Sequence, residues 1–108
     1  MLPPPDDYAE LVLDVVAAIP AGKVASYGAI AEAVRTVTGR GSARMVGRVL
    51  ARYGDQVCWW RVVRSAGVLA EPVAQRQRAL LRADGVPMVG DPPRVDMTAA
   101  ALAPVLGG

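Results

Sequence analysis

The sequence predicts a mainly α domain with short β hairpins, arranged as a winged helix-turn-helix. Three observations predict it: two helical segments split by a glycine break, an arginine row along the second, and a β-prone run with a turn after them. Asp6 or Asp7 can cap a first helix, in which Tyr8, Leu11, Val12, Val15, Val16 and Ile19 recur at helical spacing until Pro20 stops it. The turn Pro20-Ala21-Gly22-Lys23 leads to Ser26, which can cap a second helix with Ile30, Ala31 and Val34 inward. Gly39 and Gly41 then break the chain, and Ser42 can cap a third helix whose Met45, Val46, Val49 and Leu50 form an apolar face. Arg44, Arg48 and Arg52, spaced four apart, share its other side, as in a helix that enters a groove or in an ordinary solvated face. Residues 57–63 form the β-prone run, and Arg64-Ser65-Ala66-Gly67 is a turn before Val68 and Leu69, which suggests a wing. Residues 75–83 form a further helix with Leu80 and Leu81 buried, ended at Asp84-Gly85 with glycine in the left-handed position. Residues 86–89 and 94–97, flanking Gly90-Asp91-Pro92-Pro93, can pair as a last hairpin. The whole chain is expected to be one domain, with residues 98–108 a tail that is either a short helix or disordered.

Composition narrows the chemistry. The chain has no histidine and one cysteine, Cys58, so an internal disulfide and an ordinary transition-metal site are both unexpected. No cofactor is implied. No apolar run approaches the ~20 residues of a membrane span, and the proline-rich, acidic start is unlike a signal peptide, so a cytoplasmic protein, in a bacterial cytosol or nucleoid, is expected. Net charge is only +2, but its distribution is uneven. Arg35, Arg40, Arg44, Arg48, Arg52, Arg61 and Arg64 face a single acid, Asp55, within that stretch, whereas Asp6, Asp7, Glu10 and Asp14 lie at the other end. Arginine's planar fork suits phosphates and base edges better than a lysine point charge, so clustering of this kind points to a nucleic-acid partner.

Three segments, in order, resemble the C-terminal domain of the O6-alkylguanine-DNA alkyltransferases. They are Ile19-Pro20-Ala21-Gly22-Lys23-Val24-Ala25-Ser26-Tyr27-Gly28-Ala29-Ile30-Ala31, Ser42-Ala43-Arg44-Met45-Val46-Gly47-Arg48-Val49-Leu50, and Trp60-Arg61-Val62-Val63-Arg64-Ser65-Ala66-Gly67. A weaker fourth, Gln75 through Gly85, is similar to the family's terminal helix. One departure governs the reading. The family's acceptor motif reads proline, cysteine, histidine, arginine before two valines; here that register gives Cys58, Trp59, Trp60, Arg61. Cysteine falls one position early, and in a β strand that shift would turn its thiol to the opposite face. Tryptophan at the acceptor position marks the alkyltransferase-like, non-catalytic branch of the family.

The resemblance implies a protein, monomeric for want of a zipper or dimer face, that binds double-stranded DNA containing O6-alkylguanine and flips the nucleotide without alkyl transfer, then hands the lesion to nucleotide excision repair proteins. By the same resemblance Tyr27, Trp59, Trp60, Val62 and Leu69 would form the lesion pocket, Val62 and Trp59 through their carbonyls and Leu69 through the loop it opens. Arg44 would be the finger that fills the vacated stack, Gly47 would allow close approach of a backbone, and Ser26, Arg48, Arg52 and Arg64 would hold phosphates. Arg61 is expected to buttress the pocket strand. Asp84 falls at the place of the family's relay carboxylate, but without a histidine to polarise it is expected to be a surface residue at a helix end. Two other readings compete: a winged-helix transcription regulator of unmodified sequence, and an alkyltransferase that uses Cys58 after a local shift.

Overall fold

The structure is a computed structural model that describes residues 4–69 and 72–102. Helix α1 (Asp7–Ala17) begins where the Asp6 carboxylate accepts from the Ala9 amide at 2.8 Å. A short strand β1 (Ala25–Ser26) runs straight into α2 (Tyr27–Thr38), because Ser26 is at once the end of the strand and the N-cap, accepting from the Ala29 amide at 3.0 Å. Gly39, with φ 72°, supplies the left-handed residue that ends α2. Ser42 then caps α3 (Ala43–Tyr53) by accepting from the Met45 amide at 3.2 Å. Removing this cap frees one of the orphan amides of α3, so Ser42→Ala should lower unfolding stability by about 1 kcal/mol in a urea melt. A variant as stable as the parent would show that the cap is replaced by water at no cost.

Helices α1, α2 and α3 enclose the larger core, in which Val12, Val16, Ile30, Val34 and Val46 are fully buried. A second cluster gathers Val24, Val63, Leu69, Ala74, Leu81, Val86, Val95 and Ala100. The pair β1–β2 lies between the two: β2 (Val62–Val63) runs parallel to β1, with Ala25 opposite Val62 and Ser26 opposite Val63. Ala25 and Val62 pack into the first cluster and Val24 and Val63 into the second.

The strand expected across residues 57–63 is shorter than that run. Only the last two residues of the run 57–63 form a strand; before them the chain makes two tight turns, Gly54–Gln56 and Trp59–Arg61. Both residues of β2 are buried, and its partner is β1, with Ala25 opposite Val62, rather than residues 68–69. The turn at Arg64 forms as read, with the Gly67 amide donating to the Arg64 carbonyl at 2.8 Å, and among the described residues one further bond joins its two arms, from the Arg64 amide to the Val68 carbonyl. Gly67 (φ 81°) gives its carbonyl to the Val95 amide, and a β-carbon there would run into the Val95 carbonyl oxygen. The last hairpin is as expected: β3 (Met88–Val89) and β4 (Arg94–Val95) pair antiparallel. Helix α4 (Ala74–Ala83) buries Leu81 fully but Leu80 only in part, and Gly85 (φ 79°) takes the left-handed position after it. A short helix α5 (Met97–Ala100) opens the tail, and Ala101 bridges to Val24; the rest of that tail, residues 103–108, lies outside the described residues.

Candidate nucleic-acid interface

Strand β1 delivers Tyr27 to the start of α2 directly beside Val63 and Arg64, and α3 crosses in front of it. Two hollows meet along the line of Tyr27 and Gly47. One, an open groove of about 540 Å³, is lined by Tyr27, Gly28, Ala43, Arg44, Gly47, Arg64 and Ser65. The other, a cleft of about 400 Å³, is lined by Tyr27, Gly47, Leu50, Ala51, Asp55, Trp59, Val73 and Arg76. Among the described residues nothing lies within 4 Å of the place a Gly47 β-carbon would take, so its lack of a side chain serves no packing against them. It keeps the rim between the two hollows low.

The groove is cationic and the cleft is aromatic. Arg44 and Arg64 are exposed on the groove. Burial pushes the Tyr27 phenol above its ordinary range, with Arg64 partly offsetting, so at neutral pH it keeps its proton and can donate a hydrogen bond. In the cleft the Arg76 guanidinium stands 5.7 Å from the centre of the Trp59 ring, a cation–π contact. Arg48 and Arg52 are also exposed but turn to the far flank of α3, lining a separate hollow of about 340 Å³ with Pro4, Asp6 and Ala9 of the α1 end. The arginine row therefore splits, Arg44 going to the groove and the other two away from it. Ser26 spends its hydroxyl oxygen on the α2 cap at the edge of the same face.

The structure does not bring every predicted pocket residue together. Trp60 stands behind Trp59, ring centres 6.2 Å apart and planes at 88°, and packs on the second core. Val62 is fully buried; its carbonyl accepts from Gln77 Nε2 at 2.9 Å, and the Trp59 carbonyl accepts from the Val62 amide. Leu69 is buried in the second cluster, which takes its side chain out of the cleft lining. The loop it opens falls partly on residues 70–71, outside the described residues.

Cys58 points away from the cleft, but not because of strand alternation. It precedes the Trp59–Arg61 turn, and its thiol donates to the Val16 carbonyl at 3.1 Å among the α1 side chains of the first core. Trp59 is thus the side chain at the cleft wall and Cys58 is behind it.

Asp84 is the second correction. It is not a free surface carboxylate: it accepts from Trp60 Nε1 at 2.8 Å and from Arg61 Nε at 2.7 Å on Oδ2, and from Arg61 Nη2 at 3.1 Å on Oδ1. The indole N–H supplies the donor that makes this position a partner, a possibility the missing histidine hid. Arg61 does buttress the turn, with Nη1 on the Ile19 carbonyl at 2.8 Å. The Arg61 hydrogen bonds hold the Asp84 carboxyl below the usual carboxylate range, Trp60 adding to them against the opposing effect of burial. The stability this ion pair contributes is therefore fully present above the ordinary aspartate value of about 3.9 and lost as pH falls through the lower folded value. In acid melts, the stability gap between the parent and Asp84→Asn should close only below about pH 4. A gap that closes between pH 5 and 7 would contradict it.

Arg76 and Gln77 were not foreseen. Gln77 is 3% exposed and clamps the carbonyls of Trp60 and Val62; its signal was its spacing with Ala74 and Leu81 on the inward face of α4. Arg76 gave none, because its meeting with Trp59 is tertiary. Among the described residues no group of three or more metal-ligating side chains forms, and no helix is long and apolar enough to cross a membrane.

Comparison with known proteins bears on this arrangement. The model of the 6-O-methylguanine DNA methyltransferase DNA-binding domain matches residues 7–86. The DNA base-flipping protein of Escherichia coli is 40% identical over 96 residues, covering 85% of this chain and 71% of that protein. The structure of S. pombe Atl1 in complex with damaged DNA containing O6-carboxymethylguanine superposes with a TM-score of 0.76 at 28% identity, covering 93% of this chain and 98% of Atl1. A variant of the M. tuberculosis O6-methylguanine methyltransferase matches with a TM-score of 0.61 at 29% identity, over 75% of this chain and 50% of that enzyme.

Proposed function

The chain belongs to the 6-O-methylguanine DNA methyltransferase family by its DNA-binding domain, and from that membership we propose that it reads O6-alkylguanine in duplex DNA without repairing it. One observation carries the reading: the cleft beside Tyr27 and Gly47 presents the Trp59 ring, while the chain's one thiol is turned into the core. In this reading α3 docks in the minor groove, Arg44 enters the stack, and the lesion passes over the low rim at Gly47 into the cleft. Arg64 and Ser26 flank the path, and Arg48 and Arg52 meet phosphates on the far side of α3. Extrusion costs a few kcal/mol, less where alkylation has weakened the pair, and stacking on an aromatic returns on the order of 1 to 3 kcal/mol. The two nearly cancel, so a small pairing defect decides which base enters. The names of the base-flipping relative and of the Atl1 complex support the reading. Hand-over to nucleotide excision repair proteins, and a location with the DNA of a cytosol, complete it by family resemblance.

Incubation with duplex carrying a radiolabelled O6-methyl group tests it. Tight binding with the label kept on DNA is expected; label on the protein would instead make Cys58 an acceptor. Equal affinity for lesion-bearing and intact duplexes of one sequence would favour a transcription regulator.

A further inference from the structure

We propose that Asp84 is a positioning residue that sets how strongly the cleft discriminates a damaged from an intact base, acting through Trp60 on Trp59; this rests on the lesion-reading function above. Among the described residues the indole N–H of Trp59 makes no hydrogen bond, so the ring is held by its neighbours alone: Arg76 over one face and Trp60 edge-on at 88°. Trp60, in contrast, is pinned at both ends. Its indole N–H donates to Asp84 at 2.8 Å, its carbonyl accepts from Gln77 at 3.1 Å, and the Arg61 guanidinium lies 5.4 Å from its ring centre.

Asp84 is where these restraints converge, since one oxygen, Oδ2, accepts from both the indole and Arg61. The side chains of Arg61 and Asp84 are only 16% and 14% exposed, so water competes weakly for these charge-assisted bonds. Asp84 also caps the C-terminal end of α4, the helix that brings Arg76 over Trp59, so both supports of that ring depend on the same element. A wall already fixed in place spends little further entropy when a base stacks on it, whereas a loose one must be ordered by the base. The advantage goes to whichever base stacks longest, the extruded lesion. An intact duplex held by phosphates outside the cleft gains nothing.

The proposal is tested with Asp84→Asn, Asp84→Glu, Trp60→Phe and the double variant Asp84→Asn/Trp60→Phe. Affinities are read by fluorescence anisotropy for labelled duplexes that differ only by O6-methylguanine in place of guanine. Asp84→Asn should lower the lesion-to-intact affinity ratio by about three- to tenfold, the cost of ordering one large side chain on binding. Binding to intact duplex should change less than twofold, and glutamate should restore part of the ratio. Trp60→Phe leaves the ion pair standing and keeps an aromatic ring, smaller than the indole and without its N–H donor, so it should lose at least as much, and adding Asp84→Asn to it should lose nothing further. In those two variants Trp59 is the one remaining tryptophan, and its steady-state anisotropy should be equally low in both. An unchanged ratio in Trp60→Phe, additive losses in the double variant, or a parallel drop on both duplexes would overturn the proposal. A parent protein without lesion preference would overturn the lesion-reading function itself, a result distinct from any of these.

Discussion

Arg44→Ala should lower affinity for a duplex carrying O6-methylguanine by about ten- to hundredfold, the loss expected when a stacking or cation–π contact of 1 to 3 kcal/mol is removed. Arg44 stands exposed in the first turn of α3 on the groove that opens toward Tyr27 and Gly47, and it makes no hydrogen bond or ion pair with the described residues. Its removal should therefore leave the melting temperature unchanged. Arg52→Ala is the control, because Arg52 lies on the opposite flank of the same helix. Losing a phosphate contact there should weaken lesion and intact duplexes alike and reduce the log–log salt slope by about 0.9. If anisotropy titrations show the two variants behaving identically, Arg44 is another phosphate contact and the finger role is wrong.

The second large effect concerns Trp59. Trp59→Ala should remove about 1 to 3 kcal/mol of lesion affinity, because the flipped base would lose its aromatic wall. Trp59→Cys should bind with the same deficit and still transfer no alkyl group from labelled DNA. A thiolate, not a thiol, is the nucleophile, and position 60 offers an indole whose N–H is committed to Asp84 rather than a base that could take the thiol proton. Label found on Trp59→Cys in a single-turnover assay would show that the site activates a thiol without an adjacent base.

What could be read from the sequence follows from how far each signal reaches. The caps at Asp6, Ser26 and Ser42, and the glycine stops at Gly39 and Gly85, are contained within a few residues, and each stands where its local chemistry puts it. The β-prone composition of the run 57–63 misled, because valines and aromatics suit a strand equally well when the chain turns tightly and buries them by tertiary contact. The expectation that Cys58 faces away held for a different reason: it precedes the Trp59–Arg61 turn, and its thiol donates to the Val16 carbonyl of α1. Trp60 with Asp84 and Trp59 with Arg76 are separated by 24 and 17 positions, and only the packing of α4 against the Trp59–Arg61 turn brings them together. The arginine row was visible, but its division into two flanks depends on where α1 meets α3.

The inward-turned thiol of Cys58 also bears on supply. A cysteine that accepts an alkyl group ends as a stable thioether, so one molecule is consumed for every lesion it meets. In the proposed lesion-reading function the tryptophan wall forms no bond with its guest, and a molecule displaced from one lesion leaves unchanged and ready for the next. The number of copies a cell would need is then set by the lesions standing at one moment rather than by all those that accumulate.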